Sequence, residues 1–267
     1  MARRRFFVDE VRGGRAQILG DDAHHLTRVL RVETGQKYEI SDNQSVYLAQ
    51  IEAARKDLVS FSVLEKLGSI ETPLPIAIVA ALIKFDRFEW LVEKATELGV
   101  DSIVPCMADR SEKGLDRAAG KRVSRWRKIA REASEQSRRA RLPDIADPVS
   151  FAEALANDAS VKLALEEQTG AAPLLAALPT DWTAERGVAM LVGPEGGWTD
   201  RERSAFQASA WTPVSLGNTV LRAETAAIAG LAIVSSAWNA SNYPKPAGSS
   251  VSGRDRCGDG HSSTESG

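Results

Sequence analysis

The stretch Leu191-Val192-Gly193-Pro194-Glu195-Gly196-Gly197-Trp198 decides the fold, together with Leu216-Gly217-Asn218-Thr219-Val220-Leu221-Arg222-Ala223-Glu224-Thr225-Ala226 behind it. In each, an apolar strand runs into a glycine-bearing loop and then into a helix. Glycine has no Cβ, so the backbone can approach a ligand closely. Two such loops, one strand and one helix apart, predict a single pocket built from two strand ends. Open α/β sheets bind ligands beyond the carboxyl ends of their strands.

The glycine spacing is neither G-x-G-x-x-G nor a P-loop, because no Gly-Lys-Ser/Thr follows it. Pro194 fixes its own φ and stiffens the loop entry. Thr199 and Glu202 form a T-x-x-E capping box that starts a helix. The alternative is a strand–helix turn whose glycines serve geometry alone. Arg222 and Glu224 sit in an otherwise apolar run of small residues. Charges there need a partner or a ligand, since burying them unpaired is costly. They could also neutralise one another at a helix start.

Working outward, residues 1–70 read as a small β-rich domain, with strands over 5–8, 16–19, 37–41, 46–52 and 58–64. Val59, Phe61 and Val63 alternate as a half-buried strand does. A short helix is expected over 22–31, capped by Asp21 or Asp22. Residues 68–75 make a linker. Beyond it, apolar strands over 76–83, 102–106, 161–165, 188–192 and 213–216 alternate with helices. One helix, over 86–98, carries Phe88, Leu91, Val92, Ala95 and Leu98 on one stripe, with Asp86 and Glu89 as a capping pair and Gly99 after its end. Another repeats apolar Val123, Trp126, Ala130 and Ala133. This order predicts a mainly parallel α/β sheet over 73–242. Residues 244–267 are Pro, Gly, Ser and charge, a composition expected to stay disordered.

With 267 residues, 43% of them hydrophobic and 26% charged, the chain has the composition of a soluble globular protein. No apolar run is long enough to span a bilayer. Cys106 and Cys257 offer neither a disulfide framework nor metal spacing, and three histidines are too few for a metal site. A reducing, cytoplasmic setting fits. The net charge of −2 hides a basic stretch from Arg110 to Arg141, rich in arginine and poor in acids. That stretch is a candidate phosphate-contact surface; a solvated, ion-paired helix face is the alternative.

The motif GPEGGW followed by LGNTVLRAETAAIAG resembles the signature of the bacterial 16S ribosomal RNA uracil-N3 methyltransferases of the SPOUT superfamily. The resemblance runs on through Lys84-Phe85-Asp86-Arg87, the segments 93–100 and 125–130, Arg110-Ser111, Ala133 to Arg139, and His24-His25-Leu26-Thr27-Arg28-Val29-Leu30-Arg31. It spans nearly residues 5 to 240. Trp198 stands where the family commonly has Phe, and Thr219 where many members have a basic residue.

The resemblance implies a PUA-like β-barrel that binds RNA, then a parallel α/β domain with a C-terminal trefoil knot. It implies S-adenosylmethionine as cofactor, no metal, a homodimer, and the small ribosomal subunit as partner. Cofactor contacts are expected from Leu191, Val192, Gly193, Glu195, Gly196 and Gly197, from Leu216, Gly217, Asn218, Val220 and Leu221, and from a third wall at Leu165 and Glu166. Arg222 is the candidate for stabilising a uracil anion or gripping its phosphate, and Glu224 the candidate base. Arg28, Arg31, Lys84, Arg87, Arg110, Gln136, Arg138 and Arg139 are the candidate RNA contacts. Two rivals stand beside this reading: a non-catalytic RNA-binding ribosome-assembly factor, and a related methyltransferase acting on another RNA site.

Overall fold

The structure is a computed structural model that describes residues 4–69, 74–168, 170–181, 183, 185 and 187–243. The expected tail over 244–267 and the centre of the expected linker, 70–73, lie outside the described residues.

The first sheet is built from β1 (Arg5–Phe7), β2 (Arg15–Leu19), β3 (Lys37–Ser41), β4 (Ser45–Arg55) and β5 (Leu58–Ser69), with α1 (Gly20–Arg28) packed on it. Its order is β1-β3-β4-β5-β2, antiparallel except for β1 on β3. Register shifts along β4–β5 add twist and bend the ladder. Among the described residues β1 and β2 are not paired, so the curled sheet is a half-barrel open at that seam. Phe6, Ile18, Ile40, Ile51, Val59 and Phe61 form its core. The helix expected over 22–31 starts earlier and ends earlier, at Gly20 and Arg28, and Leu19 rather than an aspartate is its N-cap, with no side-chain cap bond. Arg31 stands at φ +50, in the left-handed region, and this turn lets Val32 bury.

The second sheet takes its strands from β6 (Ile76–Ala81), β7 (Ser102–Met107), β8 (Asp144–Ile145), β9 (Val149–Ser150), β10 (Val161–Leu165), β11 (Ala172–Pro173), β12 (Val188–Val192) and β13 (Thr212–Ser215). Every pairing is parallel, in the order β11-β13-β10-β12-β6-β7-β8, with β9 also on β7. The helices are α2 (Phe85–Glu97), α3 (Leu115–Ala119), α4 (Val123–Ser137), α5 (Phe151–Leu155), α6 (Asp200–Ala208) and α7 (Ala223–Ser241). All five residues of β12 are buried, as a central parallel strand covered on both faces must be. One face packs with α2, α4 and α7 around Phe88 and Trp126; the other buries Trp198, Phe206 and Trp211. The helix α7 packs on α2, β12, β6 and the turn 174–177, in agreement with the threading implied by the resemblance.

The helix α2 shows how local chemistry sets these boundaries. Phe88, Leu91, Val92 and Ala95 of its apolar stripe are buried as the periodicity predicts, while Leu98, the C-cap residue, is exposed. Its N-cap is Lys84, without a side-chain bond, so Asp86 and Glu89 are not the capping pair expected; Asp86 instead sits in the first turn, where an acid suits the helix dipole. At the other end Gly99 takes φ +96, its N–H reaches Thr96 O, and the Val100 N–H reaches Ala95 O, the paired closure that needs a left-handed residue.

Candidate active site

The carboxyl ends of β10, β12 and β13 open into one cleft of about 660 Å³, counted to its mouth. The loop 193–199 after β12 forms one wall, the loop 216–222 after β13 another, and Leu165 to Glu167 the third. Both glycine loops therefore face one space, as their spacing predicts.

The first loop is braced at several points. Thr199 caps α6: its hydroxyl oxygen accepts from the Glu202 N–H at 3.3 Å while Glu202 Oε2 accepts from the Thr199 N–H at 2.8 Å. The other oxygen of buried Glu202 accepts from the Asp109 N–H at 2.8 Å, tying the loop to the end of β7. Burial, with a smaller push from that carboxylate, drives the neighbouring Cys106 thiol up to about 12, so the cysteine is inert core. Trp198 is buried with its ring against Phe151 and Phe206, and its indole N–H donates to Leu165 O at 3.1 Å. Here the glycines are needed. A Cβ on Gly193 would stand 3.0 Å from the Trp198 ring, and one on Gly197, at φ +67, would stand 2.8 Å from Glu167 Oε1.

Of the expected cofactor residues, Leu165, Glu166, Val192, Gly193, Glu195 and Gly197 line the cleft, as do Leu216, Gly217, Val220 and Leu221. Three lie elsewhere. Leu191 is fully buried in the sheet core, because alternate residues of β12 point into opposite faces. Gly196 faces Arg110, whose Cβ would be 3.1 Å from an added methyl. Asn218 is exposed and does not line the cleft. The lining also includes Glu167, Pro194, Ser215, Thr219, Ala223 and Ala226, which sequence reasoning did not assign. Pro194 and Thr219 lay inside the quoted motifs; for Glu167 the only signal was its place after an apolar strand. The Glu166 carboxylate is turned away from this role: it accepts from Arg203 Nε at 2.7 Å and Nη2 at 3.2 Å, which raises the Arg203 pKa, so its backbone forms the wall.

Arg222 is the N-cap residue of α7, extended and exposed, with no side-chain ion pair among the described residues. Glu224 lies in the first turn of the same helix and is 8% exposed. The two do not pair with each other. Glu224 Oε1 is 4.0 Å from Arg87 Nε, and Glu224 Oε2 is buried with no donor. Arg87 Nη1 also makes a short ion pair with Glu195 Oε1. A second recess, of about 380 Å³, shares Pro194 and Glu195 with the cleft and adds Lys84 and Arg110.

The expected RNA contacts divide in two. Arg28, Arg31, Lys84 and Gln136 are exposed, with no side-chain partner among the described residues. Four are engaged within the protein. Arg87 is paired as above. Arg110 Nη1 donates to Gly196 O at 2.9 Å and Trp198 O at 3.4 Å, bracing the first loop. Arg138 ends α4 at φ +58 and donates to Glu39 Oε1 at 2.9 Å, while Arg5 donates to Arg138 O at 2.6 Å, so it ties the end of α4 to the first sheet. Arg139 donates through Nη1 to Thr96 O at 2.8 Å and through Nε to Arg141 O at 3.1 Å. Burial pushes its guanidinium down to about 10. For Arg138 and Arg139 the basic pattern alone concealed these roles, because a cation on a phosphate surface and one capping a carbonyl look alike in sequence.

Among the described residues there is no metal-ligating cluster and no helix long and apolar enough to cross a membrane. Known proteins agree with this architecture. A family described as an RNA methyltransferase domain matches residues 70–235, and one described as an RNA methyltransferase PUA domain matches residues 18–64. The ribosomal RNA small subunit methyltransferase E of Bacillus subtilis is 34% identical over 228 residues, covering 82% of this chain and 88% of that protein. The protein of the same description from Mycobacterium tuberculosis is 33% identical over 251 residues, covering 88% and 94%. Among solved structures, a ribosomal RNA small subunit methyltransferase E from Neisseria gonorrhoeae, bound to S-adenosyl methionine, matches with a TM-score of 0.78 at 27% identity, covering 88% of this chain and 98% of that one. A methyltransferase from Legionella pneumophila with bound cofactor matches at 0.79 and 28%, covering 90% and 98%. The two-loop cleft on a parallel sheet, and the extent of these matches, carry one conclusion: the chain belongs to the RNA methyltransferase domain family, with that family's PUA domain in front.

Proposed function

We propose that this protein binds S-adenosylmethionine in the two-loop cleft and methylates N3 of a specific uridine in the 16S ribosomal RNA of the small subunit. The observation that carries the reading is the cleft itself, where three strand ends meet and the loops after β12 and β13 face one space, the first loop held in place because Gly193 packs on the Trp198 ring and Gly197 on Glu167. Leu165, Glu166, Val192, Gly193, Glu195 and Gly197 would hold the cofactor on one side, with Leu216, Gly217, Val220 and Leu221 on the other. When bound, it supplies an electrophilic methyl carbon.

The chain's own residues then have to hold the acceptor base and take its imide proton, because the N3 lone pair becomes available only as that proton leaves. Buried Glu224, with an oxygen that lacks a donor, is the proposed acceptor of the proton, and Glu195 the second carboxylate at hand. Arg222, exposed at the start of α7, is the proposed partner of the developing anion or of its phosphate. Positioning contributes several kcal/mol to such a step when reacting atoms are held at near-attack distance. A base within folded RNA must be splayed out to arrive there. Arg28, Arg31, Lys84 and Gln136 are the proposed RNA contacts. A homodimer belongs to the proposal, supported by apolar Val220, 76% exposed on the second loop. A ribosomal RNA substrate carries a cytoplasmic setting with it.

The test is methyl transfer from labelled cofactor to unmodified small subunits, with the product nucleoside identified by mass spectrometry. The expected product is 3-methyluridine. A different methylated nucleoside would redirect the target, and absence of both transfer and cofactor binding would leave the assembly-factor reading.

A further inference from the structure

Arg87 stands in the first turn of α2, and its guanidinium meets carboxylates belonging to both glycine loops. One is Glu195, on the loop after β12; the other is Glu224, in the helical turn that follows the second loop. Among the described residues no other ion pair reaches either carboxylate. The remaining braces are one-sided. Arg110, Trp198 and Glu202 fasten the first loop to β7 and β10. In the second loop, Ser215 Oγ bonds only to Gly217, donating to its carbonyl at 3.0 Å and accepting from its N–H at 3.1 Å. The cleft is the space between these loops, so its width depends on what fixes one to the other.

We infer that Arg87 is a positioning residue that holds the two ligand-binding loops at a fixed separation, and is not a nucleic-acid contact. The guanidinium suits this task because its planar fork presents donors in two directions at once. An ammonium is a compact point charge with rotatable donors, so it fixes no set angle between two carboxylates. The side chain of Arg87 is 30% exposed and that of Glu195 40%, so solvent screens the pair and each contact is of modest strength. The inference rests on the cofactor reading only for its ligand assay; the loops of the free protein report on it independently.

The experiment compares wild type with Arg87→Met and Arg87→Lys. Amide hydrogen exchange is followed over 193–199 and 216–222 in the free protein, and S-adenosylmethionine affinity is measured by calorimetry. Arg87→Met is expected to speed exchange in both loops and to weaken cofactor binding about fivefold, the equivalent of ~1 kcal/mol. Arg87→Lys should fall between. Adding Glu195→Gln to Arg87→Met should speed exchange in the two loops little further, because the pair is already broken. Unchanged exchange and unchanged cofactor affinity, with weakened RNA binding, would overturn the inference and return Arg87 to the RNA surface. If Arg87→Met does not fold, Arg87→Lys and Glu195→Gln decide the matter, and unchanged exchange in both would overturn it. If the wild type binds no cofactor, the proposed function falls, while the exchange data still judge Arg87.

Discussion

The indole N–H of Trp198 donates to the carbonyl oxygen of Leu165 at 3.1 Å, tying the loop after β12 to the end of β10. The same ring is the surface against which Gly193 packs. One residue thus fills the core on one side of the sheet and fixes two walls of the cleft. Trp198→Phe keeps most of the ring and loses the donor. It is expected to fold, with a stability loss of about 1 kcal/mol. Trp198→Ala should cost about 3–5 kcal/mol, as large-to-small changes in cores do. Chemical denaturation measures both; equal losses would mean that packing at this site counts for nothing.

Arg222→Ala is expected to lower methyl transfer by at least about tenfold and to leave cofactor affinity and melting temperature near wild type. Its exposure and lack of an ion pair among the described residues give it no structural task to lose. Calorimetry alongside the transfer assay separates the possibilities. Lost cofactor affinity would move Arg222 into the cofactor wall.

Arg139 caps the Thr96 carbonyl near the end of α2 from a half-buried position. Arg139→Met should therefore destabilise the protein by about 1 kcal/mol, through the lost bonds to the Thr96 and Arg141 carbonyls, Thr96 O keeping the Gly99 N–H as donor. Its effect on RNA affinity at constant folded fraction should be small. A salt slope of RNA binding that drops by about one would instead make it a phosphate contact.

Glu135 is 6% exposed on α4. Burial pushes its carboxyl from the ordinary 4.5 up to about 7, opposed by Arg131 and Arg4 and assisted by Asp22 and Glu132. The folded state thus holds a proton that the unfolded chain has released. Its contribution to stability is full below about pH 4.5, declines as pH rises, and is gone above about pH 7, a loss of up to about 3 kcal/mol. Glu135→Gln should flatten the fall in stability across that window. Parallel stability–pH curves for the two proteins would show that another group governs it.

The local elements were legible because their chemistry is local. The periodicity of α2, the alternation of β5, the capping box at Thr199 and the unbroken apolar run of β12 are each set by neighbours in the chain, and the structure shows them there. The glycine loops were legible as the walls of one cleft, and glycine is required at Gly193 and Gly197 because the backbone there packs on the Trp198 ring and on Glu167. What the sequence could not decide is where charged side chains go. Arg87, Arg110, Arg138 and Arg139 look alike as cations, yet their partners are Glu195, Gly196 O, Glu39 and Thr96 O. Those partners come from distant segments, and a long flexible cation takes whichever acceptor the packed chain sets before it. Leu191 and Leu165 differ for the same reason: strand alternation and the neighbouring layers, not residue type, send one into the core and leave the other at the cleft. Composition and spacing thus determined the parallel sheet and its two glycine loops. Tertiary packing alone decided which side chains brace those loops and which remain free to meet a ligand.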